Sequence, residues 1–399
     1  MTVQRCLSNL PDITAAHRQG PCSALYLHVP FCLRKCPYCS FFSLAGKDRL
    51  HALFAEAVDR QIKQEATRFA KSCRLETIFF GGGTPTLLPA ETLADLLGDC
   101  LDCFPTAADN ELEITIEVNP ATVDKNYLGI LRRAGFNRLS IGVQSFTERE
   151  LALLGRPHTA LDARQTFYDA RQAGFTNINL DLMYGLPGQR VADWRHNLKQ
   201  ALTLEPEHLS LYELTIEENT PFAEQVERGS LHMPMEEEVI AMLELTLTLL
   251  RQAKFERYEI SNYGRRGFHC RHNINYWHNR SYIGLGPGAV ACLDDVRYTA
   301  GRDIEQFANH IAAGKPIWED EEHLTKEERF RETMIMGLRM TSGVSISGLQ
   351  KRFGIDPAAY YGPTLDGLIK QDLLHRSNDH LRLTDRGLLL ADAVMVRLV

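Results

Sequence analysis

His28-Val29-Pro30-Phe31-Cys32-Leu33-Arg34-Lys35-Cys36-Pro37-Tyr38-Cys39-Ser40 decides how the rest of the chain is read. It places Cys32, Cys36 and Cys39 in a C-x3-C-x2-C pattern directly after an apolar run. Three thiolates so close together can hold a metal centre. Their number matters, because an iron–sulfur cube has four irons and the cubes of ferredoxins take four Cys ligands. A three-Cys loop leaves one iron open to a ligand that is not protein.

Outward from this loop one rhythm repeats to about residue 255: a short apolar strand, a turn with Gly or Pro, and a helix. Strands are expected at 24–29, 75–80, 113–118, 138–143, 177–183 and 208–214, with helices at about 48–70, 90–103, 124–134, 160–173 and 192–204. Strands alternating with helices imply parallel pairing through right-handed crossovers. A doubly wound sheet and a barrel both fit that order. The unusual residues separate them, since HVPFC, GGGTP, EVNP, GVQSF and DLMYGLPG all fall at strand ends. In a β/α barrel the carboxyl ends of the strands form the one face that carries chemistry.

The 399 residues, 44% hydrophobic, can bury a large core and exceed the size expected of one domain. A net charge of −7 with no basic block gives no nucleic-acid footprint. The most apolar helix candidate, 239–250, is interrupted by Glu244 and is too short to span a bilayer. The first twenty residues lack an apolar core of signal-peptide length, so a cytoplasmic protein is expected. Its ten cysteines are then thiols in a reducing compartment, where clustered Cys point to metal or catalysis more than to disulfides. Cys100 and Cys103 form a second C-x-x-C, but in the helix-like stretch LLGDCLDCF, where Cys behaves as a small buried hydrophobe.

Gly81-Gly82-Gly83-Thr84-Pro85 is neither a Walker loop nor GxGxxG. A strand-to-helix turn needs one glycine; three in a row remove every Cβ and let a ligand approach the main chain. Glu117, Gln144 and Asp181 stand in or at the ends of strands otherwise made of Ile, Leu and Val. Singly each reads as a helix cap. At equivalent places in successive βα units they read as holders of one polar ligand with an amine, carboxylate or ribose. Arg156, in LLGRPHT, is either a positive charge on the same face or a surface Arg before a proline turn.

Beyond a helix at about 235–253 and a strand at 257–260, one run holds His269, Cys270, His272 and His278 among Tyr276, Trp277 and Tyr282. One Cys without a C-x-x-C partner does not fit zinc spacing. The run reads either as an aromatic-rich packing loop or as a haem site, since haem iron needs an axial ligand and the porphyrin needs aromatic walls. Helices at 327–340, 345–353 and 363–371, then a hairpin and a last helix, give a winged-helix-like pattern without a basic helix. The expected organisation is a lead-in at 1–23, a main domain at 24–255, a connecting segment at 256–318 and the winged-helix-like domain at 319–399.

These motifs resemble the radical S-adenosylmethionine (SAM) superfamily and, within it, the anaerobic coproporphyrinogen III oxidase-like family. The stretches LYLHVPFC, GGGTPTLL, EVNP, RLSIGVQSF, LGRPH and NLDLMYGLPGQ match in order, and the chain is most similar to the HemW-type haem chaperones. The resemblance implies an α/β fold, a partial (β/α)6 TIM-like barrel of the radical SAM type with a C-terminal helical, winged-helix-like domain. It implies a [4Fe–4S] cluster on Cys32, Cys36 and Cys39, with SAM on the fourth iron in contact with Tyr26, Gly82 and Glu117. A second SAM, as in the oxidases, would meet Tyr38, Gly83, Thr84, Gln144, Arg156 and Asp181. In a catalytic member a donor such as flavodoxin supplies the electron that cleaves SAM to a 5′-deoxyadenosyl radical.

Two departures set this chain apart from the oxidases. They carry a further Cys two residues past the third ligand, where this chain has Phe41, and a longer N-terminal arm. His272-Asn273-Ile274-Asn275-Tyr276-Trp277 instead matches the HN-x-x-YW motif of the haem chaperones, which makes haem the favoured ligand and His272 its expected axial residue. A His-Ser pair usual in the family after Gly-x-Gly-Ala is Val290-Ala291 here. The resemblance thus implies a haem chaperone that binds haem and transfers it to an acceptor protein. The alternative is a radical SAM oxidase or methyltransferase.

Overall fold

The computed structural model describes residues 22–108, 111–293 and 295–399. Apart from Cys22 and Ser23, which begin the first strand, the lead-in at 1–23 lies outside the described residues.

Six βα repeats form in order: β1 (Cys22–Val29), α1 (His51–Phe69), β2 (Cys73–Gly82), α2 (Ala90–Cys103), β3 (Glu113–Val118), α3 (Lys125–Ala134), β4 (Arg138–Gln144), α4 (Ala160–Gln172), β5 (Ile178–Tyr184), α5 (Val191–Thr203) and β6 (His208–Glu213). Each strand pairs in parallel with the next. A doubly wound sheet would reverse its order at a switch point. Here spatial order follows sequence order from β1 to β6, the winding of a β/α barrel. The helices start and stop where local chemistry dictates. Asp124 accepts a hydrogen bond from the Tyr127 amide at the start of α3, which Gly135 ends in the left-handed region, and a Thr159/Asp162 capping box opens α4.

The segment expected to connect two domains instead extends the sheet at both edges. After α6 (Glu236–Gln252), the strand expected at 257–260 is split: Glu256–Arg257 pairs antiparallel with β7 (Asn262–Gly264), which lies against β6. α7 (Arg271–Trp277) then leads to the opposite edge, where β8 (Tyr282–Leu285) runs parallel beside β1. β9 (Val290–Leu293), β10 (Val296–Ala300) and, after α8 (Ile304–Ala312), β11 (Trp318–His323) continue that edge antiparallel. The twelve strands end on unpaired edges, so the barrel is partial. Its apolar core lies between the strands and their covering helices.

A separate core holds the C-terminal region together around Phe330, Met334 and Leu338 of α9 (Lys326–Leu338) and Leu365, Leu368 and Val394 beyond it. Three short strands, Val344–Ser345, Leu374–Ser377 and His380–Leu383, make one sheet there, and the helices Asp385–Leu389 and Ala391–Val396 close the chain.

Candidate functional site

A cleft of about 520 Å³ opens at the carboxyl ends of the strands, a size ordinary for a small-molecule site. Cys32, Cys36, Tyr38 and Cys39 line it from the loop after β1, Gly82, Gly83 and Thr84 from the end of β2, Glu117 from β3, Gln144 and Arg156 from beyond β4, and Asp181 from β5. Residues up to 149 positions apart in sequence thus share one wall only because parallel strands bring like ends together. Tyr26 and His272, singled out with them, are not in the cleft wall.

The three thiols are free and half-buried. The backbone of their loop rests on the glycine turn: the Gly83 amide donates to the Val29 carbonyl at 2.9 Å and the Thr84 amide to the Phe31 carbonyl at 2.7 Å. A Cβ on Gly83 would stand 2.4 Å from the Phe31 carbonyl oxygen, and one on Gly82, whose φ is +114°, would stand 2.6 Å from the His28 ring. The triple glycine, read from sequence as room for a ligand, is therefore occupied from the protein side: it lets the cysteine loop lie against β2. His28 completes that support. Its Nε2 donates to the Phe42 carbonyl at 3.2 Å and its Nδ1 accepts from the Tyr26 hydroxyl at 3.1 Å, and burial lowers its pKa to about 4.

Two carboxyl groups form the acidic floor. Burial, reinforced by the charge of Asp181, pushes Glu117 up to about 8, against the pull of a 3.1 Å hydrogen bond from the Gly82 amide. Burial also raises Asp181, although Ser140 donates to it at 3.0 Å and Asn179 at 2.8 Å. Such a pair favours a ligand that brings a cationic or proton-donating group. Opposite them, Arg156 donates to the Gly142 carbonyl at 3.0 Å and points another nitrogen at the Cys36 sulfur, 3.7 Å away. Gln144 takes φ +64°, a left-handed conformation uncommon for a residue with a side chain, at a register break between β4 and β5.

His272 sits at the other end of the barrel. The Glu113 carboxylate, at the start of β3, accepts from the backbone amides of Arg271 and His272 at 3.0 Å each and so caps α7. The His272 ring is 1% exposed, 2.8 Å from the Thr77 hydroxyl through Nδ1 and 3.1 Å from the Tyr276 hydroxyl through Nε2, and it stacks on Phe79. Burial, with Arg138 adding, lowers its pKa to about 3, which keeps it neutral. The remaining motif residues are engaged likewise: Asn275 with Ser23 and the Ser281 carbonyl, Tyr276 edge-on to Tyr282, and Trp277 under the Arg339 guanidinium. An axial haem ligand needs a free ring nitrogen facing a cleft, and His272 has neither. The expectation that it ligates haem is corrected accordingly: in this arrangement HN-x-x-YW holds the floor of the barrel together.

Sequence reasoning missed His28, Glu113 and the polar chain Ser140, Asn179, His208 and Tyr258, which runs inward from Asp181 through contacts of 2.6 to 3.0 Å. Their signal was available, since polar residues recur at every second position of β4, β5 and β6 among apolar neighbours.

Among the described residues, no group of three or more His, Cys, Asp or Glu side chains is gathered closely enough for one metal ion. A cube differs from a single ion because its Cys ligands attach to separate irons and stand apart. Three free thiols facing one cleft, with a hydroxyl at Thr84 and a guanidinium at Arg156 near two of the sulfurs, fit such a cluster.

A partial barrel with a three-cysteine loop at its mouth is the architecture of the radical SAM superfamily, and residues 26–201 match the family described by that name. Residues 324–390 match the HemN C-terminal domain. The chain is 34% identical to the protein named Heme chaperone HemW of Bacillus subtilis, over 92% of this chain and 97% of that one. It is also 34% identical to the HemW of Mycobacterium tuberculosis, over 99% of each. The chain belongs to the HemN/HemW-like family of the radical SAM superfamily. The fold of the coproporphyrinogen III oxidase HemN of Escherichia coli, a radical SAM enzyme, superposes with a TM-score of 0.82 over 96% of this chain and 91% of that one at 23% identity.

Proposed function

We propose that the protein is a cytoplasmic haem chaperone that keeps a radical SAM scaffold and passes haem to an acceptor protein. What supports this reading is the even, nearly end-to-end identity to proteins named as haem chaperones, against the lower identity to the oxidase of the same fold. Phe41 adds to it, standing 71% exposed at the cleft where the resemblance leads one to expect a fourth cysteine in an oxidase.

Cys32, Cys36 and Cys39 would hold the cluster and leave one iron facing Gly82 and Glu117. When bound, cluster and SAM supply one-electron chemistry. The chain's own contribution is positional. Glu117 and Asp181 accept from an amino or ribose group, Arg156 keeps a positive charge beside the thiolates, and Gln144 reaches in from its left-handed turn.

Titration of the cluster-reconstituted protein with haemin is expected to shift the Soret band and saturate near one equivalent. Absence of any shift overturns the chaperone reading. Formation of 5′-deoxyadenosine in step with product from a porphyrinogen, under anaerobic reduction, would instead establish the oxidase alternative.

A further inference from the structure

Behind the cleft lies a second cavity of about 480 Å³, between the barrel and the C-terminal region. Its walls are Met233 and Pro234 before α6, Val239, Ile240 and Leu243 along α6, and Arg386, Leu389 and Leu390 of the C-terminal helices. Leu389 and Leu390 are 40% and 39% exposed, unusually open for neighbouring leucines in a region that has a core of its own. Glu213 and Leu214 line both this groove and the cleft, so the two sites stand back to back across the end of β6.

We propose that this groove is the haem seat, with Met233 facing the iron and Arg386 facing a propionate. The proposal rests on the chaperone reading and gives it a location. A tetrapyrrole is a flat apolar plate with a metal at its centre and carboxylates on one edge. The groove offers aliphatic walls from two sides, one thioether and one guanidinium. Methionine sulfur is an established axial ligand of haem iron, and Met233 alone among the lining side chains is of a type that ligates it. Met233 also packs on the cluster of Leu154, Met183, Leu186, Leu214 and Phe222 that separates groove from cleft, so its position is tied to the cofactor site. The carboxyls of the groove, Glu213 and Glu236, belong to the β6 and α6 sides, away from Arg386 in the C-terminal helix. A seat shared by two separately cored regions suits a protein that must release its cargo, because a small shift between them opens one wall. His272 is remote from this groove and would act only through the floor of the barrel.

The test is a haemin titration of the full-length protein carrying Leu389→Asp, Arg386→Glu or Met233→Leu, with the unaltered protein alongside. Leu389→Asp and Arg386→Glu are expected to weaken haemin binding about tenfold or more, which is about 1.4 kcal/mol. Met233→Leu keeps the volume and is expected to change the Soret position and the low-spin bands even where affinity is partly retained. If the unaltered protein binds haemin and all three variants match it in affinity and spectrum, the groove is not the seat and the inference falls while the chaperone reading stands. If the unaltered protein binds none, the chaperone reading falls and the inference with it. Unchanged SAM binding in the Leu389→Asp variant, whose altered side chain is exposed, distinguishes a local effect from misfolding.

Discussion

His272 Nδ1 lies 2.8 Å from the Thr77 hydroxyl, inside the barrel and among the amino-terminal halves of its strands, whereas the cysteine loop opens at the other end. This bond ties α7 to β2, and the Glu113 cap ties it to β3. The C-terminal region grips the same helix from its other end, where Arg352 and Arg329 donate to the Asn279 carbonyl.

His272→Ala is therefore expected to destabilise the fold by about 2–4 kcal/mol, through a buried cavity and two hydroxyls left without a partner. A urea midpoint measured on the cluster-free protein checks this. Unchanged stability with lost haem binding would return His272 to the role of ligand.

Gly83→Ala places a methyl group 2.4 Å from the Phe31 carbonyl and 3.0 Å from the Cys32 sulfur. The cysteine loop must move outward, at about 1–3 kcal/mol. Expected is a folded protein with much less iron and sulfide per chain after reconstitution, read by metal analysis and cluster absorbance. Gly98→Ala, on α2 with open space around it, is the matched control.

Gln144→Gly should relieve the left-handed backbone and leave stability equal or raised by up to about 1 kcal/mol, while weakening SAM binding. Thermal denaturation and SAM calorimetry on one preparation separate the two effects. A loss of stability would show that the side chain, and not the turn, holds this strand end.

The pH dependence of the ligand-free protein follows from groups with opposite signs. Glu117, raised from 4.5 to about 8, binds a proton in the folded state that the unfolded chain has released, so its contribution falls as pH rises between those values. His28 and His158, lowered from 6.5 to about 4, and His272, lowered to about 3, stay neutral when folded while the unfolded chain takes up protons. Their contribution is complete above 6.5 and is lost as pH falls toward those values. Glu117→Gln is expected to flatten the loss of Tm on the alkaline side and leave the acid side in place. Parallel Tm curves for the two proteins above about pH 6 would show that Glu117 is already ionised.

The sequence by itself determined the repeating βα order, the face on which the site lies, and most of the cleft wall, because each of these is local. A strand announces itself by its apolar run, and a residue at its carboxyl end must share a face with the ends of its parallel neighbours. It did not determine what touches the triple glycine, where HN-x-x-YW lies, or that 282–300 joins the sheet beside β1. Those depend on contacts across 195 positions, such as His272 to Thr77, and on β8 crossing to the opposite edge from β7. A histidine in a motif looks alike in sequence whether its nitrogens face a ligand or two hydroxyls. Only tertiary packing assigns those partners, and here it turned an expected ligand into a strut of the barrel floor while leaving the three cysteines facing the open cleft.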